Sequence, residues 1–374
     1  MSAKYLHYSY EQLKTFCMDA FQEFGFNSEE ARIITDVLLL SDLYGIESHG
    51  MQRLVRYHKG IEKGMIKVDA KPEIVFETPV SAVIDAHDAM GQLVSHQAMN
   101  LAIEKAKKTG MAIVSVRNSN HFGIAGYYAK MACDQGLIGI AMTNSEAIMV
   151  PTFARMAMIG SNPIALAVPA EPYPFFFDAS TTVVTRGKLE VYNKMEKPLP
   201  EGWALNKDGH PSTDAKDVLK NIVAKNGGGI MPVGGNTEQL GSHKGYGYGM
   251  MCEIFCSVFS QGTPSSHVNV GGKSGTCHGF MAVDPHVFGD PEAIKAHFSA
   301  CLQELRDAPK ADGQTRIYTH GEKEAFAYQD RMENGIDVNI NTVAEMADMA
   351  RYLGMDVEKY LGKVDVHGLE SSYQ

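Results

Sequence analysis

Apolar positions recur at helical spacing over the first sixty residues. Ser9-Tyr-Glu-Gln12 has the form of a capping box and predicts a helix to about Glu23, stopping near Gly25. Ser28 reads as the N-cap of a second helix, Glu29 to Tyr44, with apolar residues at 33, 34, 37, 38 and 40. After Gly45 to Gly50 a third helix is expected over about 51–63. Met51, Leu54, Val55 and Ile61 fall on one side of it, and His49, Arg53 and Tyr57, four apart, stack along the other. That polar side faces either water or a cleft.

The pattern then alternates between periods. Residues 67–90 read as strands interrupted by Pro72 and Pro79, with Val80 to Asp85 the best of them. Gly91 to Lys108 is helical and ends at Gly110. Met111 to Val116 is a short apolar run of strand type, followed by a polar loop, Asn118 to Gly123, and a helical pattern from Ile124 to Ala132. Strands are expected at Leu137 to Thr143 and Ile164 to Val168. Phe175 to Phe177 leads into Asp178-Ala-Ser-Thr181, with a helical stretch to about Lys197. Residues 198–249 are rich in Gly and Pro and read as a long irregular segment, closing in a glycine-rich run (241–249) before an apolar helix, 250–260. A second Gly/Ser-rich loop covers 261–279. Phe280 to Asp284 is a strand, Pro291 to Leu305 a helix, and Ile317 to Glu322 a strand and turn. A capping box at Thr342 to Glu345 opens a last helix ending at Gly354. Strands and helices in alternation indicate an α/β protein.

Composition narrows the function classes. The 374 residues are 44% hydrophobic and 21% charged, which suits an ordinary globular core. The net charge of −10, with no basic stripe, argues against nucleic-acid binding, although a locally basic site can still take an anion. The six cysteines show no zinc-site spacing, and Cys252 and Cys256 sit one turn apart in the apolar run Met250 to Phe259, as buried small hydrophobes do. No signal-peptide core opens the chain and no run approaches the ~18 apolar residues of a membrane span. A cytoplasmic protein with no membrane partner is the expectation.

Chemistry concentrates in few places. His121 lies just past a strand end among small polar residues, where active sites of sheet proteins often sit, and histidine is the side chain that titrates nearest neutrality. Alone, the stretch reads first as a hydrogen-bonded structural histidine in a turn. Arg53 offers a fork to a carboxylate, with His49 and Tyr57 as neighbouring donors. Lys244, at a glycine-rich helix start, suits a phosphate or merely marks a flexible turn. No GxGxxG follows a strand; the string from Gly245 has Met250 in the last glycine position. Gly272-Lys-Ser274 resembles a P-loop end, but His267 replaces its first glycine. HExxH and GxSxG are absent from the sequence, and the 14 histidines do not cluster with carboxylates at metal-ligand spacing. A hydrolase with dispersed metal ligands and a non-catalytic dinucleotide binder stay open on these residues.

Five segments occur together in order over about residues 10–350: Ser48-His-Gly50 with Arg53 and Tyr57, Asn120-His-Phe-Gly123, Gly160-Ser-Asn-Pro163, Asp178-Ala-Ser180 and His243-Lys-Gly-Tyr-Gly247. With them the chain resembles the malate/L-lactate dehydrogenase type-2 family, which also holds ureidoglycolate, sulfolactate and diketogulonate dehydrogenases and cyclic imino-acid reductases. The resemblance implies an α/β fold with a non-Rossmann, mixed-sheet domain binding NAD or NADP, and a helical domain built from both chain ends. Its parts are 1–70 with a substrate-binding helix, 71–309 with cofactor and catalytic residues, and 310–374 packing back on the first. It implies a homodimer and a small anionic 2-hydroxy or 2-oxo acid substrate, malate/oxaloacetate first; a cyclic ketimine, ureidoglycolate or sulfolactate are the alternatives. Carried over, His121 is the proton carrier. Ser48, His49, Arg53 and Tyr57 are on the substrate side. Ser145, Asp178, Ala179, Ser180, His243, Lys244, Gly245 and Glu322 are cofactor contacts, and no metal is implied. A second carboxylate needs a second cation, for which Arg56 and Arg186 are candidates. His320 departs from the family pattern, standing where relatives have Pro before Gly-Glu.

Overall fold

The capping box at Ser9 forms as expected: its hydroxyl accepts from Gln12 N–H while the Gln12 side chain returns to the Ser9 N–H. In the computed structural model, which describes residues 5–364, this cap starts α1, Tyr10–Glu23, just after strand β1, Tyr5–Tyr8. Asn27 rather than Ser28 caps α2, Ser28–Leu43, through a box with Glu30. The third helix is shorter than expected. Two 3-10 turns, Glu47–His49 and Met51–Arg53, precede α3, Leu54–Glu62. The interruption falls at Gly50, where the Asp42 carboxylate takes the Met51 N–H at 2.7 Å. Two further features were not expected from the sequence. Strand β1 pairs antiparallel with β11, Ile336–Asn339, and helix α10, Glu322–Asn334, occupies a stretch without clear periodicity.

A seven-stranded mixed sheet forms the centre. Its strands are β2 (Glu73–Glu77), β3 (Ser81–Asp85), β4 (Met111–Ser119), β5 (Ile138–Thr143), β6 (Ile164–Val168), β7 (Phe175–Ala179) and β10 (Thr276–Val283). Their order is β2-β3-β4-β10-β5-β6-β7. Only β3 and β4 run parallel; β10 enters antiparallel between β4 and β5. Helices α4 (Gly91–Thr109) and α5 (Ala125–Cys133) supply Val94, Ala98, Ala102, Tyr128 and Ala129 to a core shared with Val114, Ala141 and Phe280 of the sheet. A second core joins the two chain ends: Leu13, Phe16, Phe21, Leu38 and Leu54 pack with Ile336, Val343, Met346 and Leu361. Each such side chain fully buried is worth about 1.5–3 kcal/mol. The C-terminal members lie on β11, α11 (Ile340–Tyr352) and α12 (Val357–Leu361). Asn339 caps α11, so the Thr342 capping box lies inside the helix and caps nothing. Residues 365–374 of the expected third part lie outside the described residues.

The segment expected to be irregular folds. It carries β8 (Ala204–Leu205) paired with β9 (Gly229–Ile230), and α7 (Ala215–Ala224), capped by Asp214. With α6 (Arg186–Lys194) they enclose a small core of Leu189, Leu199, Val218, Ile222 and Ile230. Helix α8 begins at Ser242 rather than 250 and runs to Glu253, continuing as a π-helical turn, Ile254–Val258. Its glycines are poor helix formers, but a Cβ on Gly245 would sit 2.3 Å from Val233 O, so close packing against that turn selects glycine. The 317–322 strand does not form among the described residues. Helix α9, Pro291–Asp307, matches its expected start.

Candidate active site

The end of β4 is built to hold the His121 loop. Asn118 adopts φ 53°, a left-handed value that asparagine tolerates, and its amide donates to the Asp85 carboxylate at 2.9 and 3.0 Å. The Asn120 amide faces three carbonyls, of Met65, Asp88 and Ala89, at 2.9–3.1 Å. Phe122 stacks on His278 of β10 at 4.5 Å and 4°. His278 bridges Ser119 Oγ (2.9 Å) and Thr143 Oγ1 (2.8 Å), beside a register shift between Thr276 and His278. Bulges of this kind re-aim side chains next to sites. Gly91 opens α4 directly against this loop; a Cβ there would lie 2.3 Å from Asn120 O and 2.4 Å from His121 O.

Two of the expected substrate-side residues meet His121 directly, and the other two stand behind them. Tyr57 Oη lies 2.8 Å from His121 Nδ1, and the His49 ring stacks at 5.4 Å from the His121 ring. Tyr57 is buried, so the polar side of the third helix faces a cleft rather than water. Ser48 Oγ meets His49 Nδ1 at 2.9 Å, and Arg53 Nε donates to Ser48 O at 2.6 Å; among the described residues the two terminal nitrogens of its guanidinium make no further hydrogen bond. Burial, reinforced by the charges of Arg56, His49 and Arg53, pulls His121 well below the ordinary imidazole range. Burial and then Arg53 and Arg56 lower His49 to about 4. Both rings are neutral at pH 7.

These residues border two adjoining cavities of about 420 and 450 Å³. Arg53, Arg56, His121, Asn269 and Ser274 line both. The first cavity adds Ser145, Ser161 and Arg186. Ser145 Oγ accepts from Ser161 N–H at 3.0 Å, and its own N–H donates to Asn162 Oδ1 at 3.1 Å. Hydroxyl donors beside a cation suit the amide and phosphate groups of a nicotinamide nucleotide.

The other expected cofactor residues stand apart from these linings. Asp178 accepts the Gly126 N–H at 2.7 Å, capping α5, whose own N-cap residue supplies no side chain; burial raises its carboxyl to about 6. Ser180 Oγ donates to Thr182 O, and Ala179 ends β7. His243 and Lys244 are exposed in the first turn of α8, and Gly245 is buried behind them. The Glu322 carboxylate is fully enclosed and accepts from Arg306, Arg316 and Thr319, tying α9 to α10. The sequence reading missed Glu253. This buried carboxylate gathers Asn162, Ser257 and Ser265, and so fixes the turns bearing Ser145 and Ser161. A lone acid inside the apolar run Met250 to Phe259 was its signal. Among the described residues no group of three His, Cys, Asp or Glu side chains is arranged to hold a metal ion.

A family model described as malate/L-lactate dehydrogenase matches residues 8–347. The chain belongs to the malate/L-lactate dehydrogenase family. It is 42% identical over 94% of its length to a malate dehydrogenase of Pyrococcus abyssi, covering 96% of that protein. It is 34% identical to an L-sulfolactate dehydrogenase of Methanocaldococcus jannaschii, over 94% of this chain and 98% of the relative. The crystal structure of malate dehydrogenase from Entamoeba histolytica superposes with a TM-score of 0.91 at 36% identity, covering 94% of this chain and 99% of that one. The malate dehydrogenases of this family act on CH–OH donors with NAD(H) or NADP(H), and this protein is an enzyme of that kind. The mixed sheet and the missing GxGxxG agree with a cofactor domain of non-Rossmann type.

Proposed function

We propose that this dehydrogenase interconverts a dianionic 2-hydroxy acid and its 2-oxo acid, with malate/oxaloacetate as the first pair and sulfolactate next. The observation that carries the proposal is the meeting of a neutral histidine with two guanidiniums, Arg53 and Arg56, on shared cavity walls. Arg53 takes the carboxylate beside the reacting carbon. Arg56 takes the far anionic group; of the two candidate cations it is the better placed, because the Arg186 Nε is committed to Glu190 at 3.1 Å and Arg56 forms no ion pair among the described residues. Relatives named for malate and sulfolactate each match 94% of this chain, and both acids carry two anionic groups.

A nicotinamide cofactor, when bound, would supply the hydride-transfer chemistry. His121 handles the proton: Nδ1 faces Tyr57, so Nε2 is left for the substrate hydroxyl, whose proton it takes during oxidation and returns to the oxo group during reduction. Its lowered pKa keeps it unprotonated, and so free to accept a proton, at neutral pH. Neutral His49 and Ser48 orient Arg53. Ser145, with His243 and Lys244 at the α8 start, contacts the cofactor. Asp178 and Ser180 support that surface through their side-chain hydrogen bonds, Ala179 and Gly245 through the backbone, and Glu322 acts as a structural tie. We infer further that the enzyme is a cytoplasmic homodimer. Its free cysteines suit a reducing compartment, and the exposed Tyr248, Met251, Val258 and Phe259 along α8 and its continuation offer an apolar face for pairing.

The test is oxidation of NADH and then NADPH, followed at 340 nm, against oxaloacetate, sulfopyruvate, pyruvate and a cyclic imino acid. Preference for the dianions supports the proposal. Preference for pyruvate or the imine removes Arg56 from substrate binding.

A further inference from the structure

Helix α3 forms one wall of the second cavity, and its sequence gives that wall a charge. Leu54, Tyr57 and His58 fall on one arc of the helix and are buried. Arg56, Lys59 and Lys63 follow one another three and four residues apart, so they form a row on the opposite arc. All three line the second cavity, and Arg53 lines it with them. A single carboxylate, Glu345, shares these walls. Four cations against one acid leave three positive charges in excess around a space of about 450 Å³.

The cavity runs from the reacting centre to solvent. Tyr57 and Asn120 are its buried wall, beside His121, whereas Gln52, Arg56 and Lys63 are its exposed one. The first cavity has a different balance. Its Arg53, Arg56 and Arg186 face two carboxylates, of which Glu190 holds Arg186 at 3.1 Å and Glu146 accepts from the Asn269 amide at 3.3 Å. The larger excess of positive charge therefore lies in the cavity that lacks the nucleotide-type donors Ser145 and Ser161. The protein as a whole carries a net charge of −10. It repels an approaching dianion at long range, except where a cleft of the other sign focuses the field.

We propose that the Arg56–Lys59–Lys63 row is an electrostatic entry path: Lys63 draws the anionic 2-oxo or 2-hydroxy acid from solvent into the second cavity and passes it along the row to Arg56 and Arg53 beside His121. Lys63 lies two helical turns from Arg56, about 10 Å along the axis. It meets the substrate in passage and not in the reacting complex, so it sets capture and leaves the chemical step alone. The inference rests on the anionic substrate assigned above.

The test is the salt dependence of Lys63→Gln. In ~10 mM salt, where charges act over about 30 Å, the variant lowers kcat/KM for oxaloacetate about threefold, the effect of one unit charge on a dianion across ~10 Å of water. In ~1 M salt, where the reach is about 3 Å, the difference disappears. The kcat at saturating substrate stays that of the wild type. Lys63→Glu doubles the charge change and lowers low-salt kcat/KM about tenfold. Pyruvate, with half the charge, loses about the square root of each factor. Lys108→Gln is the control. Lys108 is exposed near the far end of α4 and lines neither cavity. It stands about 26 Å along the helix from Gly91, which packs on the His121 loop, and its loss changes kcat/KM less than ~1.5-fold. Binding of malonate, an unreactive dianion, measured by calorimetry reads the same salt-dependent loss in Lys63→Glu without turnover. It therefore decides the entry path even if His121→Asn stays active or another substrate class is preferred. A Lys63→Glu protein that matches the wild type in low-salt kcat/KM and in malonate affinity overturns the inference. So does a loss no larger than that of Lys108→Gln, one that persists undiminished in ~1 M salt, or one that appears in kcat.

Discussion

His278→Gln should convert an acid-sensitive position into an insensitive one. Burial holds His278 at about 3, against 6.5 for an exposed imidazole. The folded value is the lower, so between these limits the unfolded chain binds the extra proton and folding weakens as pH falls below 6.5. Each pH unit costs about 1.4 kcal/mol; from 6.5 to 5 the loss is about 2 kcal/mol. Glutamine keeps a donor and an acceptor for Ser119 Oγ and Thr143 Oγ1 and removes the titration. At pH 8 the variant is less stable by ~1 kcal/mol, from poorer stacking on Phe122. By pH 5 the difference should have moved about 2 kcal/mol in its favour. The difference between the two proteins is what isolates the effect. Asp42, raised to about 7 chiefly by burial, binds its proton in the folded state and strengthens folding as pH falls through that value, partly masking the histidines in either protein alone. Urea unfolding followed by far-UV circular dichroism at pH 8, 6.5 and 5 measures it. A difference that stays constant within ~0.5 kcal/mol would refute the buried neutral state of His278.

Other substitutions test separate links. Arg53→Ala should reduce kcat/KM for the 2-oxo acid by about 10²-fold, mostly through KM, as expected for ~3 kcal/mol of charge-assisted hydrogen bonding; steady-state kinetics decides it, and an unchanged KM would remove the carboxylate from Arg53. Arg56→Gln should cut the preference for oxaloacetate over pyruvate roughly tenfold while sparing pyruvate turnover. Gly91→Ala drives a methyl into the Asn120–His121 backbone, and ~1 Å of displacement there should lower kcat about 10²-fold with cofactor affinity little changed.

Much of the sheet was legible. Ile164 to Val168 is a strand over those residues, and Gly91 to Gly110 is a helix with its stop, because period and caps are local signals. Elements fixed by distant partners were not. β1 and β11 exist through pairing across most of the chain, and α8 begins among glycines, of which Gly245 packs so closely on Val233 that no side chain fits there. The same divide runs through the site. Spacing by four put His49, Arg53 and Tyr57 on one side, and the structure brings them to His121, although by way of 3-10 turns instead of one continuous helix. Glu253 belongs to no motif and was passed over, although a lone acid in an apolar run marks it; it acts through side chains brought near by tertiary packing.

The most direct test of the account is the first turnover of enzyme loaded with reduced cofactor and mixed with oxaloacetate at pH 7, in the wild-type protein and in His121→Asn. The account predicts that the 340-nm decay slows by about 10²–10⁴-fold while cofactor binding, read by fluorescence, is retained. Equal decay rates in the two proteins would contradict it and remove the proton from His121.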